Sequence, residues 1–572
     1  MKFSSKNKIF SLTIFLFSCF DIAIINSDSS LQKISTPSMQ EDHKEINNNQ
    51  ETPRLTVILI IDQFAYHHVP KLKKYFKYGL KTLIENGIFY TNAKYKNAAP
   101  STPAGHATIA TGTLPCEHGF ALGYWLDSQG NKIKIVSDDK KQAGVFSKNG
   151  LYDYGISATN LMVDTIVDQF ILSSQPFENH QAFAFSLKPY ATLPLAGQLG
   201  KAFWFDQKSI GFTSSKAYVK KIPKWLKEFN TELKLDKLKE TSWKLCYPVD
   251  DPAYSFKYIN DYNHAGFEFS LIKNPQKIDF SKEEPFEFYI KTPACNQLIL
   301  DIAKTCLDKN LSENPKDKFL LAISLSPLDK LAHNYGPDSL EVVDMIYHID
   351  NQIGNFIKYT QEKVGASNVL FVLTADHGVA PIPEIMQAQG YKKSIRIFVK
   401  PLIEQMNKIV EKNYGISNFV IDFKKIYFFI NKQKIKNLEN TILNEILNDL
   451  KNFLSKQPGI KKVWTNDELD YFDIPQNQIE FFFKASKYPG RTGELICQPE
   501  PYCVLTKYKT GTSHRSPYDY DTHVPLIIYQ KDWFEKQIFN EQVCMTQLAP
   551  TLAKILNISK PSASTYATLP GI

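Results

Sequence analysis

The chain has 572 residues, of which 43% are hydrophobic and 13% aromatic, a composition typical of globular proteins rather than disordered ones. A chain of this length is too long for a domain with one ordinary hydrophobic core, so we expect one large domain with insertions or two domains. The net charge is +8, from 67 basic and 59 acidic residues, and there is no long basic run or nucleic-acid motif. Nucleic acid is therefore not an expected partner.

The first 25 residues have the pattern of a secretory signal peptide. Three lysines precede an apolar run at residues 9–17, which is too short to span a bilayer as a helix. The following "LFSC" resembles a bacterial lipoprotein box, so the signal ends either before a lipid-modified Cys19 or at an ordinary cleavage site somewhat later. A buried N-terminal helix is the remaining alternative, although a polar tract follows directly. The pattern predicts a secreted or periplasmic protein, whose only membrane contact would be a lipid anchor at Cys19.

Residues 26–53 are polar, lack apolar periodicity and are predicted to form a linker. The folded part of the chain then comprises residues 54–572. Of the eight cysteines, Cys497 and Cys503 are close enough in sequence for a local disulfide in an oxidising compartment. No CxxC pair occurs, which argues against a zinc site built from thiolates.

The stretch "NAAPSTPAGHATIATGT", residues 97–113, predicts the start of a helix. Pro103 suits the first helical position, which places Thr102 at the N-cap. Thr102 is then either a cap or a nucleophile. A helix N-terminus favours negative charge, but a threonine hydroxyl still needs an activator such as a metal ion.

Three apolar, β-branched segments are predicted to be central parallel strands, because they are hydrophobic on both faces. They are "LTVILIID" (55–62), "FLLAISLSPLD" (319–329) and "VLFVLTADHG" (369–378). Helical patterns separate them, as in residues 339–360, where valines and isoleucines recur at helical spacing. The alternation predicts an α/β sheet that is covered on both faces.

Each of these strands ends in an aspartate, and ligands of such sheets bind at the carboxyl ends of the strands. Singly, each aspartate is explained as a turn former or helix cap. Several carboxylates at one edge, however, repel each other unless a cation is present. Histidines accompany these aspartates. In "DKLAH" an aspartate and a histidine are one helical turn apart, and in "ADHG" they are side by side. A mixed oxygen and nitrogen set without thiolate suits zinc or a similar divalent ion; its members are Asp62, Asp329, His333, Asp376, His377, His514 and His523.

Together these segments resemble the alkaline phosphatase superfamily, in particular bacterial threonine-nucleophile phosphatases akin to the nucleotide pyrophosphatase/phosphodiesterases. The matching stretches are "ILIIDQF", "TPAGHATIATGTLPCEHG", "SLKPYATLPLAG", "SPLDKLAHNYGPDS", "TADHG", "YPGRTGEL" and "GTSHRSPYDYDTHVPL". The resemblance implies an alkaline-phosphatase-like three-layer α/β sandwich with a mostly parallel sheet. Residues 54–572 would form the catalytic domain, with two inserted cap segments at about 201–315 and 383–503.

The resemblance also implies two zinc ions and a covalent phosphothreonine at Thr102. His523 is the weaker ligand candidate, since it stands at the start of a strand where it could pack or cap, and His106 is interpreted as a helix-packing residue. One ion would be held by Asp329, His333 and His514, and the other by Asp62, Asp376, His377 and the Thr102 hydroxyl.

The residues expected to contact the phosphoryl group depart from the monoesterase pattern. In "HGFALGYWLD", Gly123 replaces an Asn, and in "KPYAT", Lys188 is retained while Tyr190 replaces an Arg. Tyrosine cannot make the bidentate charged bonds of arginine. Arg515 stands where relatives usually have Gly, and it either reaches the phosphoryl group or faces solvent.

The sequence thus predicts an extracytoplasmic, metal-dependent phosphoric ester hydrolase acting on small-molecule phosphate esters. Two kinds of enzyme remain possible. One is a broad phosphomonoesterase, and the other is a phosphodiesterase or nucleotide pyrophosphatase. The missing Asn and Arg favour the second. An inactive surface binding protein is the non-enzyme alternative, against which the complete ligand set argues. A sulfatase is excluded, because "STPAGH" lacks the arginine of the C/S-x-P-x-R motif.

Overall fold

The structure is a computed structural model that describes residues 52–233, 243–255, 287, 289–470 and 473–572. The predicted signal peptide, Cys19 and nearly all of the predicted linker lie outside the described residues. Within the described part, the structure contains no helix with the length and apolar character needed to cross a membrane.

The described strands fall into one large sheet and four small ones. In chain order the strands are β1 (Leu55–Ile61), β2 (Ile88–Lys94), β3 (Tyr124–Leu126), β4 (Lys132–Lys134), β5 (Ser137–Asp138), β6 (Gly144–Ser147), β7 (Gly150–Ile156), β8 (Gln181–Ser186), β9 (Lys201–Asp206), β10 (Gly211–Thr213), β11 (Phe319–Leu325), β12 (Val369–Thr374), β13 (Arg396–Phe398), β14 (Val420–Lys424), β15 (Tyr427–Ile430), β16 (Ile460–Thr465), β17 (Leu495–Pro499), β18 (Val504–Thr506), β19 (His523–Tyr529), β20 (Gln537–Phe539) and β21 (Val543–Cys544).

Helices connect these strands and cover the large sheet. The described α-helices are α1 (His68–Leu72), α2 (Gly79–Asn86), α3 (Thr102–Thr111), α4 (Pro115–His118), α5 (Lys140–Ala143), α6 (Ile166–Leu172), α7 (Pro189–Ala196), α8 (Lys224–Glu232), α9 (Pro293–Asn310), α10 (Pro327–Tyr335), α11 (Leu340–Val364), α12 (Pro383–Ala388), α13 (Val399–Tyr414), α14 (Lys432–Ile435), α15 (Asn440–Ser455), α16 (Ile479–Ala485), α17 (Asp519–Thr522) and α18 (Leu548–Leu556).

The central sheet has the strand order β10-β9-β8-β11-β1-β12-β19-β2-β20, and β21 also pairs with β2. Strands β9, β8, β11, β1 and β12 run parallel to their neighbours in that order. Strand β19 is antiparallel to both β12 and β2. The fold is therefore α/β with a mixed, mostly parallel sheet, as predicted.

The three apolar segments form the middle of this sheet. All seven residues of β1 are buried, and β1 lies between β11 and β12, with Leu55 opposite both Phe319 and Val369. A strand with helices on both of its faces has no polar side, which is why its sequence is continuously hydrophobic. The predicted helix between β11 and β12 is α11, whose valine and isoleucine side chains are buried.

The second predicted insertion contains a small α/β unit with a hydrophobic cluster of its own. Its sheet, β14-β15-β17-β16, is antiparallel, and α13 and α15 pack against it. Cys497 and Cys503 are both buried free thiols here. The Cys503 thiol donates to the Lys393 carbonyl, so the predicted local disulfide is absent between these residues.

The first predicted insertion needs correction at its start. Residues from 201 onward continue the central sheet, because β9 pairs in parallel with β8 and β10 turns back along β9. Helix α9, near the far end of this segment, contributes buried residues such as Ile299 and Cys306 to the main core. Residues 234–242, 256–286 and 288 of the predicted insertion lie outside the described part.

Candidate active site

Three buried carboxylates meet at the carboxyl ends of adjacent strands. Asp62 directly follows β1, Asp329 lies in the first turn of α10 after β11, and Asp376 follows β12. Their exposed fractions are 0%, 4% and 1%. The order β11-β1-β12 thus brings together residues that are up to 314 positions apart, as the pattern of strand-terminal aspartates predicts.

Three histidines direct their Nε2 atoms at these carboxylates. His333 Nε2 lies 3.1 Å from Asp329 Oδ1, and His514 Nε2 lies 3.7 Å from the same oxygen. His377 Nε2 lies 3.4 Å from Asp376 Oδ2 and 3.6 Å from Asp62 Oδ1. The rings of His377 and His514 stack, with 3.5 Å between their centroids.

Each of these histidines uses its other ring nitrogen in the same way. Nδ1 of His333 lies 2.8 Å from the Thr512 carbonyl, Nδ1 of His377 lies 2.9 Å from the Gly378 carbonyl, and Nδ1 of His514 lies 2.8 Å from the carbonyl of Pro100. A carbonyl oxygen can only accept, so in His333 and His377 the proton is on Nδ1 and the lone pair is on Nε2. This is the arrangement of metal-binding histidines, in which a carbonyl fixes the tautomer. Nδ1 of His514 is shared between the Pro100 carbonyl and Lys425 Nζ, which lies 3.0 Å away.

Several polar atoms at this point are buried without a hydrogen-bond partner among the described residues. They are Asp62 Oδ1, Asp376 Oδ2 and His377 Nε2, and all three converge on one another. Unpaired buried polar atoms are costly, so a cluster of them that consists only of ligand atoms fits a bound cation. The residues therefore fit the metal ions that the sequence implies.

The ligand atoms form two groups in which all lie within 4.8 Å of one another: Asp62, Asp376 and His377, and Asp329, His377 and His514. The first group contains three of the four predicted ligands of one ion; the fourth, Thr102, is not among them. The second group differs from the predicted ligands of the other ion, because His377 Nε2 is also within reach of Asp329 and His514. His333 approaches the second group through Asp329.

Burial and mutual repulsion shift the pKa values of these groups. Burial, together with the Asp329 and Asp376 carboxylates, raises the pKa of Asp62 well above its usual range. Burial lowers the pKa of His377 to about 4, so its imidazole is neutral at neutral pH and free to bind a metal. Burial alone would raise the pKa of Asp329, but the Lys188 ammonium together with His333 and His514 outweighs it and holds that pKa well below its usual range.

Thr102 lies at the start of α3, and the first turn of this helix packs against Asp376. A Cβ built on Gly105 would come 2.0 Å from the Asp376 carbonyl oxygen. The helix begins one residue earlier than predicted, so Ser101 is the N-cap residue, and it makes no side-chain cap. The Thr102 hydroxyl forms no hydrogen bond with any described residue, which leaves the cap interpretation without support.

The Lys188 ammonium lies between the carboxylates of Asp62 and Asp329. Its Nζ donates to Asp62 Oδ2 at 2.7 Å and to Asp329 Oδ2 at 2.5 Å. Although burial lowers the pKa of this amine, the Asp329 and Asp62 carboxylates outweigh burial and raise it well above its usual range. Tyr190 is close enough for these same charges to affect it, and burial raises the pKa of its hydroxyl.

The remaining predicted contacts differ in how they are placed. Around a Cβ built on Gly123 there is no heavy atom within 4 Å, so the position of the missing Asn is open space. The Arg515 guanidinium donates to the Ser513 hydroxyl at 3.0 Å and to the Leu505 carbonyl, and it lines a cavity together with His333. Arg515 therefore faces the cavity and is not directed only at open solvent.

Two further histidines, the weaker ligand candidate His523 and the predicted packing residue His106, bond to main-chain carbonyls. His523 Nε2 lies 2.8 Å from the Thr91 carbonyl on the neighbouring strand, and its ring stacks on Tyr66. His106 is fully buried in α3, and its Nδ1 lies 2.8 Å from the Thr102 carbonyl. The same Nδ1 is 3.3 Å from Asp376 Oδ2, so His106 also supports a ligand, which its position in the helix does not reveal.

Two further residues at the site are not foreseen from the sequence. Gln63 has a left-handed backbone (φ 70°), and it donates from its main chain to Asp376 at 3.0 Å and from its side chain to Asp329 at 2.8 Å. Lys425, from the second insertion, donates to the carbonyls of Pro100 and His514. The glutamine in "IDQF" stands next to Asp62, but Lys425 is joined to the site only by the tertiary fold.

Comparison with known proteins agrees with this geometry. A family model described as "Type I phosphodiesterase / nucleotide pyrophosphatase" matches residues 56–524. The chain belongs to this family. As a member of the type I phosphodiesterase / nucleotide pyrophosphatase family it falls within the alkaline phosphatase superfamily, and it is a phosphoric ester hydrolase.

Similar proteins cover nearly the whole chain. Alkaline phosphatase PafA of Elizabethkingia meningoseptica is 28% identical over 522 residues, covering 90% of this chain and 93% of PafA. A protein of Myroides odoratus named "Calcium-transporting ATPase" is 29% identical over 531 residues, covering 90% and 93%. A crystal structure of wild-type PafA superposes with a TM-score of 0.83 at 25% identity, covering 92% of this chain and 100% of that one.

Proposed function

We propose that the chain is an extracytoplasmic phosphoric ester hydrolase that works through a phosphothreonine at Thr102 and two divalent metal ions. The convergence of three buried carboxylates with three histidines whose Nε2 atoms face them carries this proposal. The ligand set has nitrogen and oxygen donors and no thiolate, which favours zinc. Asp62, Asp376 and His377 would hold one ion, and Asp329, His333 and His514 the other.

In the first half of the reaction, Thr102 Oγ attacks phosphorus in line with the leaving oxygen. The Thr102 hydroxyl releases its proton to solvent, the new Oγ–P bond forms as the bond from phosphorus to the leaving group breaks, and the leaving group takes a proton from solvent. Lys188, which ends between Asp62 and Asp329, would donate to a phosphoryl oxygen held there. When bound, the two ions supply positive charge that favours the ionised hydroxyl and stabilises the leaving oxygen.

In the second half, water attacks the phosphothreonine from the side that the leaving group has vacated. The P–Oγ bond breaks, the product departs, and the Thr102 hydroxyl is regenerated. A diester substrate releases a phosphomonoester and a monoester releases phosphate. The position of Thr102 at the start of α3 supports both halves, because the helix N-terminus favours negative charge at its hydroxyl.

A preference for diesters is the second candidate, and two observations favour it. The site has open space at Gly123 and a tyrosine at position 190, where monoesterases place two donors. A monoester dianion has one more charged oxygen to satisfy than a diester. Losing charged hydrogen bonds worth about 1.5–3 kcal/mol each weakens monoester binding in the transition state.

The test compares kcat/KM for p-nitrophenyl phosphate and bis-p-nitrophenyl phosphate on zinc-loaded protein, residues 52–572. We expect Thr102→Ala to abolish both activities and Ser101→Ala, which removes the neighbouring hydroxyl, to retain them. Bound metal in the wild type is expected at two ions per chain by elemental analysis. Activity that survives in Thr102→Ala would contradict the mechanism, and inactivity of the wild type on both esters would favour the binding-protein alternative.

The proposed location depends on the N-terminal pattern of three lysines, an apolar run and "LFSC". We expect full-length protein expressed in a bacterium to be exported from the cytoplasm and to have its signal removed. Fractionation with a Cys19→Ser variant separates the two forms of this proposal. A lipoprotein loses its membrane association in the variant, whereas an ordinary secreted protein is released in both cases; retention of the uncleaved chain in the cytoplasm would contradict the proposal.

A further inference from the structure

The segment "YPGRTGEL", residues 488–495, is one of the stretches that carry the family resemblance, and the proposed mechanism gives it no role. It belongs to the second insertion, where it connects α16 to β17. Its arginine, Arg491, is half-buried, and its guanidinium bonds to main-chain groups that lie outside the insertion. These contacts indicate what the arginine does.

The Arg491 guanidinium joins two separate segments of the chain. Its Nη1 donates to the Gly119 carbonyl at 2.9 Å and to the Asn160 carbonyl at 2.7 Å. Hydrogen bonds from a charged donor are stronger than neutral ones, and the planar guanidinium fixes their direction. A Cβ built on Gly119 would come 2.6 Å from the same Nη1, so a side chain at residue 119 would push the guanidinium away.

Two aromatic rings contact the same guanidinium. Its Cζ lies 4.9 Å from the centroid of the Trp125 ring and 4.7 Å from that of the Tyr488 ring. Residues 119–123 connect α4 to β3, and we call them the Gly123 loop. Trp125 lies in β3, two residues after Gly123. Arg491 therefore contacts the chain on both sides of Gly123, at the carbonyl of Gly119 and at the ring of Trp125.

The Gly123 loop borders the nucleophile. The hydroxyl of Ser101, the residue before Thr102, donates to the Ala121 carbonyl of the loop at 3.4 Å. The Ala121 side chain is buried in a hydrophobic cluster that also contains Ala99, close to the start of the nucleophile helix. Beside Gly123 itself there is open space, so contacts of the other loop residues and of Trp125 set the position of residue 123.

We propose that Arg491 is a positioning residue, which holds the Gly123 loop at the distance from Thr102 that a phosphoryl contact requires. The inference rests on the proposed function, since it takes Thr102 as the nucleophile. Arg491 acts through the loop and does not touch the substrate, unlike Lys188. A donor at residue 123 then selects between substrates only while Arg491 holds the loop, and the second insertion thereby contributes to selectivity.

The experiment is a double-mutant cycle between residues 123 and 491. It measures the ratio of kcat/KM for p-nitrophenyl phosphate to kcat/KM for bis-p-nitrophenyl phosphate in the wild type, Gly123→Asn, Arg491→Met and the double variant. The asparagine should raise this ratio about tenfold when Arg491 is present, as one hydrogen bond provides. In the Arg491→Met background it should raise the ratio about twofold or less, because the amide is no longer held at the phosphoryl oxygen.

Two further variants separate positioning from stability and charge. Arg491→Lys keeps the charge and a donor but lacks the planar group, so the effect of the asparagine should be intermediate, about threefold. This variant carries the test if Arg491→Met does not fold, and an undiminished tenfold effect in it would then overturn the proposal. Lys461→Met is the matched control, because it removes an exposed cation of the same insertion and should retain the tenfold effect.

The ratio is the decisive quantity, because a loss of folded protein lowers both values of kcat/KM by the same factor. Equal effects of the asparagine with and without Arg491 would overturn the proposal, since other contacts would then place the loop. No effect in either background would also overturn it, since the loop would then lie out of reach of the phosphoryl group. Activity that survives when Thr102→Ala is added to Gly123→Asn would instead overturn the proposed function.

Discussion

Gly123 is the residue at which this chain departs most clearly from the monoesterase pattern. The glycine leaves a space in which a built Cβ meets no heavy atom within 4 Å, and no φ in the left-handed region restricts substitution there. Arg515 could supply some of the missing charge, because it lies in the cavity wall beside His333. The hydroxyl of Tyr124 is instead bonded to Asp422.

We predict that Gly123→Asn shifts the enzyme towards monoesters. The new amide would donate to a phosphoryl oxygen without displacing other atoms, so the ratio of monoester to diester kcat/KM should rise about tenfold. Gly123→Ala is the control, because it fills the same space without a donor and should leave the ratio unchanged. An equal effect of both variants would show that volume, not the missing donor, governs selectivity.

Glu341, in the first turn of α11, gives a prediction about pH and stability. Burial raises the pKa of its carboxyl to about 7, against 4.5 for an ordinary glutamate, and its Oε2 has no described hydrogen-bond partner. Between these pH values the folded state keeps a proton that the unfolded state releases. The free energy of unfolding should therefore decrease as pH rises from 4.5 to 7, by roughly 3 kcal/mol.

We expect Glu341→Gln, which is neutral at every pH, to be more stable than the wild type at pH 8 and similar at pH 4. Urea unfolding at the two pH values measures this. Glu362→Gln, at an exposed position of the same helix, should change stability little at either pH. A Glu341→Gln variant with no gain at pH 8 would contradict the assignment.

At the scale of elements, the contact between α3 and the residues after β12 places the nucleophile. Gly105 allows this contact, since any side chain there would collide with the Asp376 main chain at 2.0 Å. We predict that Gly105→Ala lowers kcat/KM by about 100-fold or more and weakens metal binding, because the helix must move away from Asp376. Activity and bound metal are measured together with Tm, and a folded variant with unchanged activity would show that the spacing is not critical.

The sequence predicts the central elements well because their burial is extreme. Strands β1, β11 and β12 are buried on both faces, and their hydrophobic runs are unbroken. The four middle residues of strand β9, "KAFWFD", are buried too, but its aromatic residues suggest an insertion when seen alone. Its place in the sheet follows from pairing with β8, which local sequence does not encode.

The residues of the candidate site also fall into two groups, those that the sequence predicts and those that it does not. The aspartates and histidines are predictable, because each follows a recognisable strand or shares a helical turn with another ligand. Lys425 is not, since it reaches Pro100 and His514 from an insertion more than 300 residues further along the chain than Pro100. The bonds from Gln63 depend on a left-handed backbone at one residue, which the sequence around it does not require.

For the whole molecule, we expect metal binding to contribute to stability as well as to catalysis. Burial and the Asp329 and Asp376 carboxylates raise the pKa of Asp62, so removing divalent ions leaves repulsion in the core that Lys188 alone must offset. Chelation should lower Tm by several degrees, and added zinc should restore it. His523→Ala is the control, because it removes a histidine bonded to a strand carbonyl and should retain the wild-type metal content; a Tm that is insensitive to chelation would contradict the prediction.

The most direct test of the account is to trap the covalent intermediate. Protein mixed with substrate is quenched in acid during turnover, digested, and examined by mass spectrometry for phosphate on the peptide that contains Thr102. We predict phosphothreonine at residue 102 in the wild type and in Ser101→Ala, and none in an inactive Thr102→Ala variant. Turnover by Thr102→Ala, or phosphate on a different residue of the wild type, would contradict the assignment of Thr102 as the nucleophile.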